Sequence, residues 1–457
     1  MNPDANEKQG ICPRCERYEI DPEGGDLCIP CAGGYEQHVR AAESESINQV
    51  ESKPRENGRS RRRRPTLPAT AFHGVAGELV RAAEPETEAD NGAVLLTSLT
   101  LLGNAMGSGP HARVGRVAHP PRLNTLVVGE TARSRKGTSF AVPQKVLELA
   151  EPEWAADRIT TGLSTGEGLI HSVRDASGDD PGVADKRLLV YETEFGRTLR
   201  VLRRETNTLS PVIRQAYDDG NLRVMTRKDP LRATGAHISI VGHVTNDELV
   251  RQLSETEMAA GFANRFLYAA VSRSKILPEG GNFDPRPVAV AVSEAIRAGR
   301  QITEMRRSRA ARELWEEVYA GFGEGPHGLL GTVTARPDAQ TLRLSVLFAA
   351  LDGTDVIEDV HVEAAFAVWS YSEESATYIF GDLLGDPDAD RLLEGLKASY
   401  PHGLTYSEQH ALFGRNFAGP RIDRARGVLE RAGLAQTTSR DTAGRARFTT
   451  TYLPPRN

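Results

Sequence analysis

The sequence predicts an α/β protein built around a doubly wound parallel sheet. Three segments carry this prediction, because each is a short apolar run that ends in glycine, acidic or polar residues: 124–140 (NTLVVGETARSRKGTSF), 186–195 (KRLLVYETEF) and 237–246 (HISIVGHVTN). Short apolar runs bounded by turn residues are typical of buried strands. The order of a glycine loop, an acidic strand and a polar-ended strand fits a doubly wound core.

The first segment reads as a strand, a loop and a helix start, which is the order of a phosphate-binding loop. In such a loop backbone N–H groups point at phosphate oxygens, a lysine neutralises phosphate charge, and a hydroxyl at the helix start ligates Mg²⁺. We expect Lys136 to neutralise the charge and Thr138 to supply the hydroxyl. The expected nucleotide contacts are Gly129, Thr131, Ser134, Arg135, Lys136, Gly137, Thr138 and Ser139.

The loop departs from the general pattern G-x-x-x-x-G-K-[ST] at three places. Gly129 lies one residue too far from Lys136, and Arg135 stands where the second glycine belongs. Gly137 also separates the lysine from Thr138. The loop segment alone therefore leaves nucleotide binding open, and the next two segments favour it.

Two carboxylates end the second segment, where a nucleotide-hydrolysing site needs them. Residues 188–191 form the predicted strand, and Glu192 and Glu194 follow it. One carboxylate of such a pair holds the Mg²⁺ shell, which we expect of Glu192. The other polarises the attacking water, which we expect of Glu194. The alternative is a strand that ends in solvated glutamates.

The third segment is another apolar strand with polar side chains at its end. Thr245 and Asn246 stand where a side chain that senses the γ-phosphate would lie. Together the three segments predict the binding and hydrolysis of ATP with Mg²⁺.

One arginine follows a small-residue turn in the segment 260–266 (AGFANRF). An arginine in such a position can reach the nucleotide of a neighbouring subunit and stabilise its transition state, so Arg265 is a candidate for this role. The alternative is an intramolecular salt bridge.

The length of 457 residues leaves room for two or three domains. The composition, 39 % hydrophobic and 26 % charged, is ordinary for a globular protein. The sequence has no apolar run of about 18 residues, which predicts that the chain does not span a membrane. The N-terminal stretch MNPDANEKQG lacks an apolar signal segment, so we expect a cytoplasmic protein. The net charge of −6 neither demands nor excludes nucleic acid.

All four cysteines lie near the N-terminus in two C-x-x-C pairs. Cys12 and Cys15 form the first pair, Cys28 and Cys31 form the second, and twelve residues separate the pairs. Each pair offers two thiolates to one Zn²⁺, and two pairs complete a closed Cys₄ site. We therefore predict a structural zinc ribbon. Such a ribbon binds nucleic acid, binds protein or stabilises a segment too short for its own core, and the sequence leaves these roles open.

Shifts in composition divide the rest of the chain. A polar stretch with a run of arginines indicates a flexible linker, which is either simply solvated or in contact with phosphates. Residues 91–106 are apolar on nearly all sides and predict a buried helix against the sheet. The expected segments are the zinc ribbon at 1–40, the linker at 41–66, a helical part at 67–120, the P-loop core at 121–285, an α-helical lid or subdomain at 286–385 and a winged helix at 386–457.

The stretch 222–230 (LRVMTRKDP) reads as a short basic strand that, with 237–241, predicts a hairpin beside the acidic strand. In ring ATPases that handle DNA, hairpins of this region often line the pore. The candidates for phosphate contact are therefore Arg223, Arg227, Lys228 and Arg232. The alternative is a solvated edge hairpin with protective charges.

The C-terminal stretch has the length and pattern of a winged helix, with three helices followed by a hairpin. The predicted third helix, residues 420–432, carries Arg421 and Arg424 among its charges. A recognition helix in the major groove of DNA uses such residues. The alternative is a winged helix that contacts another protein.

These motifs, together with 72–77 (FHGVAG) and 162–175 (GLSTGEGLIHSVRD), resemble a family of largely uncharacterised ATPases found with primases and replication proteins of bacteria, plasmids and phages. The resemblance covers about residues 67–380, and the RKGTS form of the loop is typical of that family. It implies a RecA-like or AAA+-like core, a homo-oligomeric ring such as a hexamer, and action on DNA beside a primase or another replication partner. By motif match it gives the phosphate, metal, acidic and trans-acting roles to Lys136, Thr138, Glu192, Glu194 and Arg265.

The leading interpretation is an ATP-driven DNA translocase or helicase of a mobile-element replication system. A zinc ribbon stands in place of a primase domain, so we do not expect primer synthesis. The second interpretation is a DNA-binding initiator or regulator that uses ATP only as an assembly switch. The third is the ATPase component of a defence system, which acts on partners rather than on DNA.

Overall fold

The computed structural model describes residues 63–130, 134–224, 230–253, 257–258, 260–323, 328–381, 384, 386–414, 419–442 and 445–454. The four cysteines and most of the linker lie outside these residues, so the zinc ribbon stays a prediction. Three of the predicted ligand-contacting residues, Thr131, Arg227 and Lys228, also lie outside them.

The strands of the described residues are, in chain order, β1 (His111–Val114), β2 (Val117–His119), β3 (Asn124–Gly129), β4 (Ile159–Thr160), β5 (Arg187–Glu192), β6 (Leu222–Val224), β7 (Leu231–Ala233), β8 (His237–Thr245), β9 (Leu267–Val271), β10 (Glu304–Arg307), β11 (Val356–Ile357), β12 (Leu404–Thr405), β13 (Ala435–Thr442) and β14 (Arg445–Tyr452).

The helices of the same residues are α1 (Gly74–Ala83), α2 (Asn91–Met106), α3 (Lys136–Ala150), α4 (Pro152–Asp157), α5 (Gly166–His171), α6 (Phe195–Leu202), α7 (Leu209–Asp218), α8 (Asn246–Gln252), α9 (Arg286–Gly299), α10 (Arg309–Gly321), α11 (Gly328–Val333), α12 (Pro337–Leu351), α13 (Asp359–Phe380), α14 (Pro387–Ala398), α15 (Tyr406–Leu412) and α16 (Gly419–Arg431).

Five parallel strands form the central sheet in the order β4–β5–β8–β3–β9. Every residue of β3 and all but the last of β8 are buried, which is why both strands read as continuous apolar runs. Strand β8 lies between β3 and β5, so Gly129 is level with Thr245 and Glu192 is level with Gly242. The three predicted strands are confirmed. The fold is α/β, with a parallel sheet consistent with a Rossmann-like or P-loop-like core.

Helices cover both faces of this sheet, because successive strand side chains point to opposite sides. Val127 and Val241 face an apolar core that also contains side chains of α2, α3, α12 and α13. Leu126 and Ile240 face a second core, which contains side chains of α6 and α7. The helix that follows the loop and the helix that follows the acidic strand therefore lie on opposite faces.

Helix α2 confirms the predicted buried helix with the expected bounds, and all of its residues after Asn91 are buried. The Asp90 carboxylate caps it by accepting a hydrogen bond of 2.9 Å from the Gly92 N–H. Near its other end, Asn104 donates to the carbonyl groups of Leu188 in β5 and His237 in β8. The helix thus ties the amino ends of two central strands together.

The predicted α-helical lid or subdomain, residues 286–385, contains helices α9 to α13. Helix α13 packs on β9 and α12 packs on α13. Both helices contribute side chains to the apolar core on one face of the central sheet. The apolar sides of these two helices therefore lie in the same core as one face of the central sheet, and the boundary of a separate subdomain stays a prediction.

The predicted basic hairpin has a different partner strand. Strand β6 pairs with β7 in an antiparallel ladder that places Arg223 opposite Arg232. The segment that we expected to pair with it is part of β8, which lies inside the central sheet instead. Burial explains the difference, because β8 is apolar on both faces and an edge hairpin would leave one face in water.

The C-terminal residues form a small core of their own from α14, α16 and the end of the chain. Strands β12, β14 and β13 make an antiparallel sheet in that order, and β13 and β14 form its hairpin. The three helices and the hairpin occur in the order that the sequence predicts. Among the described helices, none is long and apolar enough to cross a membrane.

Candidate functional site

The predicted loop joins the carboxyl end of β3 to the first turn of α3. A Cβ atom on Gly129 would lie 2.6 Å from the Ser134 Cβ and 3.3 Å from the Lys136 Nζ. The Lys136 side chain therefore folds back over the end of β3, and a side chain at residue 129 would collide with Ser134. This is the position from which a lysine can meet a phosphate bound in the loop.

The N-terminus of α3 faces the same loop. Helix α3 has fifteen residues and begins at Lys136, and the side chain of its N-cap residue, Arg135, makes no capping hydrogen bond. The N–H groups of a first helical turn carry partial positive charge, which favours an anion. The Lys136 ammonium and these N–H groups together make this end of the sheet electropositive.

Glu248, a carboxylate that the sequence analysis missed, interacts electrostatically with Lys136. Burial lowers the pKa of Lys136, and the charge of Glu248 acts in the opposite direction. Glu248 lies in the first turn of α8, directly after β8, and Arg200 donates a hydrogen bond of 3.2 Å to its Oε1. A side chain on Gly196, in the first turn of α6, would collide with the Glu248 carboxylate. A sequence signal existed, because T-N-D-E is the spacing of a helix cap followed by an acidic residue.

Beside Lys136, a buried histidine completes the site on the α3 face of the sheet. His243 lies in β8 with 2 % of its surface exposed, and burial, followed by the Lys136 charge, lowers its pKa to about 3. Its Nδ1 lies 3.4 Å from the Tyr191 hydroxyl, while its buried Nε2 has no hydrogen-bond partner among the described residues. The Tyr191 ring in turn stacks on Phe140 of α3, with ring centroids 3.5 Å apart. Sequence reasoning missed His243 because it reads as part of an apolar strand.

The structure separates the two members of the predicted acidic pair. Glu192 is buried, and its Oε1 accepts hydrogen bonds of 2.6 Å from the N–H groups of Gly162 and Leu163. Strand pleating points Glu192 away from the α3 face, because its neighbour Tyr191 faces α3. The described contacts make Glu192 an anchor for the loop that follows β4, and its role as a magnesium ligand stays a prediction. Glu194 is exposed at the N-terminus of α6 and caps no N–H group.

Thr245 and Asn246, the predicted γ-phosphate sensors, lie at the carboxyl edge of the sheet, where the loop begins. Thr245 is level with Gly129, but its hydroxyl accepts the Glu248 N–H at 3.3 Å and so caps α8. The Asn246 Oδ1 is buried and has no partner among the described residues. Asn246 is therefore better placed than Thr245 to meet a ligand.

The two hydroxyl residues at the start of α3 differ in their contacts. The Ser139 hydroxyl donates to the Lys136 carbonyl at 2.6 Å, and Ser139 is buried within the helix. Thr138 is partly exposed. This favours Thr138 over Ser139 as the hydroxyl that would reach a metal ion.

Arg265 lies at the opposite end of the sheet from the loop. It precedes the amino end of β9, while Lys136 follows the carboxyl end of the parallel neighbour β3, and a strand of six residues spans about 20 Å. Arg265 is 6 % exposed and makes an ion pair with Asp218, and it also donates to the Gly261 carbonyl. The structure thus gives Arg265 the alternative role, the intramolecular salt bridge.

The predicted DNA-contacting arginines differ in the ion pairs that their side chains make. Arg223 is exposed on the β6–β7 hairpin. Arg421 pairs with Asp388, and Arg424 pairs with Asp386 at 3.3 Å, so both arginines connect α16 to the start of α14. Their side chains keep 57 % and 68 % exposure, so a nucleic acid would have to compete with these ion pairs rather than find free guanidinium groups.

A cluster of His73, Asp352 and His361 joins three helices on another part of the molecule. The Asp352 Oδ2 lies 2.7 Å from the His73 Nε2 and 3.1 Å from the His361 Nε2. The three residues are close enough to hold a metal ion. However, the His361 Nδ1 accepts the Glu358 N–H at 2.9 Å, which leaves the proton of a neutral imidazole on Nε2. The donor set therefore suits hydrogen bonding to Asp352 better than metal ligation.

Comparisons with known proteins do not assign the chain to a family. No family model matches it, and the search of curated proteins also gives no match. Function is therefore inferred from the geometry of the site and from the motifs of the sequence.

Proposed function

We propose that the protein is an ATP hydrolase that acts on DNA, as a translocase or helicase-like ATPase of a mobile-element replication system. The observation that carries this proposal is the position of Lys136. Its ammonium folds over Gly129 at the N-terminus of α3, at the carboxyl edge of a parallel sheet. Ligands of open α/β sheets bind at this edge, and a lysine beside the first N–H groups of a helix there suits a polyphosphate.

In this proposal each group around the loop has a separate task. Lys136 and the first N–H groups of α3 hold the phosphate charge, and Thr138 would hold Mg²⁺, which supplies further charge neutralisation when bound. Glu194 is the candidate base for the attacking water, since it is exposed and Glu192 is engaged by backbone N–H groups. His243 and Asn246 are the candidate sensors, because both carry a buried polar atom that lacks a partner among the described residues.

The DNA-directed part of the proposal rests on the sequence resemblance and on exposed basic residues. Arg223 and Arg232 stand opposite each other on the exposed β6–β7 hairpin. Two adjacent exposed guanidinium groups suit a phosphate backbone, although Arg232 also lies 3.7 Å from the Asp175 carboxylate. The homo-oligomeric ring and the replication partner belong to the same proposal and come from the resemblance.

The testing experiment measures ATP turnover by the full-length chain alone, with single-stranded DNA and with double-stranded DNA. We expect turnover that DNA stimulates severalfold, and no turnover by Lys136→Ala. Lys145→Ala is the matched control, because Lys145 is exposed on the same helix and should behave as the wild type. Wild-type turnover by Lys136→Ala would overturn the assignment of the loop.

The same assay separates the alternatives. ATP-dependent oligomerisation without sustained turnover would favour an initiator or regulator that uses ATP as a switch. Ordinary turnover that ignores both kinds of DNA would favour a defence ATPase that acts on other partners.

A further inference from the structure

Arg135, the residue before Lys136, has a backbone conformation that arginine rarely adopts. Its φ angle is 54°, in the left-handed region, and it is the one non-glycine residue with positive φ in the part of the chain that the structure describes. Glycine occupies this region readily, whereas a side chain is strained there. Arg135 stands where the general phosphate-loop pattern has its second glycine, so the backbone keeps a conformation for which the residue is unsuited.

The Arg135 side chain makes an ion pair with the Glu88 carboxylate. The Arg135 Nε lies 2.7 Å from the Glu88 Oε2, and only 11 % of the Glu88 side chain is exposed. Glu88 reaches the loop from the segment that precedes α2, far away in sequence.

Glu88 is itself fixed on its other side. Its Oε1 accepts hydrogen bonds from the Arg273 guanidinium and, at 2.7 Å, from the Leu277 N–H. The Glu88 carbonyl also accepts the Ser274 N–H at 3.0 Å. Hydrogen bonds from Arg273 and from the Leu277 N–H hold the pKa of Glu88 below its usual range, so the carboxylate stays charged. Glu88 thus connects the loop to the chain that leaves β9.

We propose that Glu88 is the positioning residue of the phosphate loop, which it holds in shape by keeping Arg135 in the left-handed conformation. The conformation of residue 135 sets the direction in which Lys136 and the first N–H groups of α3 point. Loss of the Glu88 carboxylate removes the contact that offsets the strain at Arg135, and the loop then leaves the geometry that binds phosphate. The consequence for ATP rests on the proposed function, whereas the link between Glu88 and Arg135 does not.

The first test measures how firmly the loop is held in shape when no nucleotide is present. Hydrogen exchange of the backbone amides of residues 134–140 is compared in the wild type, in Glu88→Gln and in Glu84→Gln. Glu84→Gln is the matched control, because Glu84 pairs with Lys275 in the same region rather than with Arg135. We expect faster exchange in Glu88→Gln alone. Equal exchange in all three proteins would overturn the proposal, even if the protein does not use ATP.

The second test uses ATP and a double-mutant cycle. Glu88→Gln should raise the KM for ATP about tenfold, which corresponds to the usual strain of a left-handed non-glycine residue, with little change in kcat. Arg135→Gly removes the side chain on which Glu88 acts, and glycine adopts the conformation unaided, so the KM of this variant is the reference for the second half of the cycle. In the Arg135→Gly background, Glu88→Gln should then raise the KM no further. An equal rise in both backgrounds would mean that Glu88 does not act through Arg135, and would overturn the proposal.

The two tests distinguish failure of the proposed ATPase function from failure of the proposed link between Glu88 and the loop. Absence of turnover in the wild type would reject the proposed function. The hydrogen-exchange comparison would still decide whether Glu88 holds the loop.

Discussion

Two hydrogen bonds join Arg265 to Asp218, at 3.2 Å from Nε to Oδ1 and at 2.7 Å from Nη2 to Oδ2. Asp218 ends α7 and also accepts a hydrogen bond of 3.0 Å from Arg336. Burial raises the pKa of Asp218, but the hydrogen bond and charge of Arg265 outweigh burial and lower it overall. The amino end of the sheet is therefore fixed by a network of arginines around one carboxylate.

From this pair we expect Arg265→Ala and Asp218→Asn to destabilise the protein alike. Breaking a largely buried ion pair at a partly exposed carboxylate should cost about 2–3 kcal/mol of unfolding free energy. Urea unfolding of both variants measures the cost. Mixing Arg265→Ala protein with Lys136→Ala protein should give no more ATP turnover than the Arg265→Ala protein gives alone. Turnover that returns on mixing, together with normal stability of Arg265→Ala, would instead indicate an arginine that acts on a neighbouring subunit.

The separation of Glu192 from Glu194 leads to two different phenotypes. Glu192→Ala should lower the free energy of unfolding by about 2–4 kcal/mol, because two backbone N–H groups lose a buried, charged acceptor. Glu194→Gln should leave stability unchanged, bind ATP and hydrolyse it slowly. Chemical unfolding and single-turnover ATP hydrolysis on both variants check this. A stable, slow Glu192→Ala protein with a fully active Glu194→Gln protein would reverse the assignment.

The variant His243→Phe tests whether His243 contacts phosphate or has only a structural role. Replacement of a buried, unpartnered ring nitrogen by an apolar ring of similar shape should keep or raise stability. If the Nε2 meets the phosphate, ATP turnover should fall about tenfold or more while the melting temperature is maintained. Thermal unfolding and turnover measured on the same preparation test this. Normal turnover would remove His243 from the site.

Asp352 should make stability depend on acidity. Burial raises its pKa, but hydrogen bonds from His361 and then His73 outweigh burial, so the folded-state pKa lies below that of the unfolded chain. The stabilisation is therefore present above the unfolded pKa, near 4, and is lost as the pH falls through the folded value. Asp352→Asn should cost about 1–2 kcal/mol at pH 7, a figure reduced for partial exposure, and the difference from the wild type should shrink below about pH 4. Urea unfolding across this range measures it, and a constant difference would contradict the assignment.

Removal of zinc should unfold residues 10–33 and little else. The segment has few apolar residues, so we expect metal binding and folding to be one event. Metal analysis of freshly purified protein should give about one zinc per chain, and Cys12→Ser should abolish it. Circular dichroism before and after chelation should change only slightly. Zinc content far below one per chain would exclude the Cys₄ site.

The sequence by itself determined the elements whose causes are local. The apolar runs of β3 and β8 and the apolar helix α2 were predicted because burial on all sides leaves a continuous apolar signature. Gly129 and Lys136 were predicted as a loop because the close approach between them involves residues only seven positions apart.

Only the tertiary structure decided which partners the charged residues have. Arg265 meets Asp218, 47 residues away in sequence, and Arg135 meets Glu88, which precedes a different helix. It also decided that β8 lies between β3 and β5, which brings His243 and Glu248 to the loop and turns Glu192 to the opposite face. The physical reason is that the neighbours of a charged residue in sequence do not indicate its partner. The partner is determined by how distant elements pack around the apolar cores.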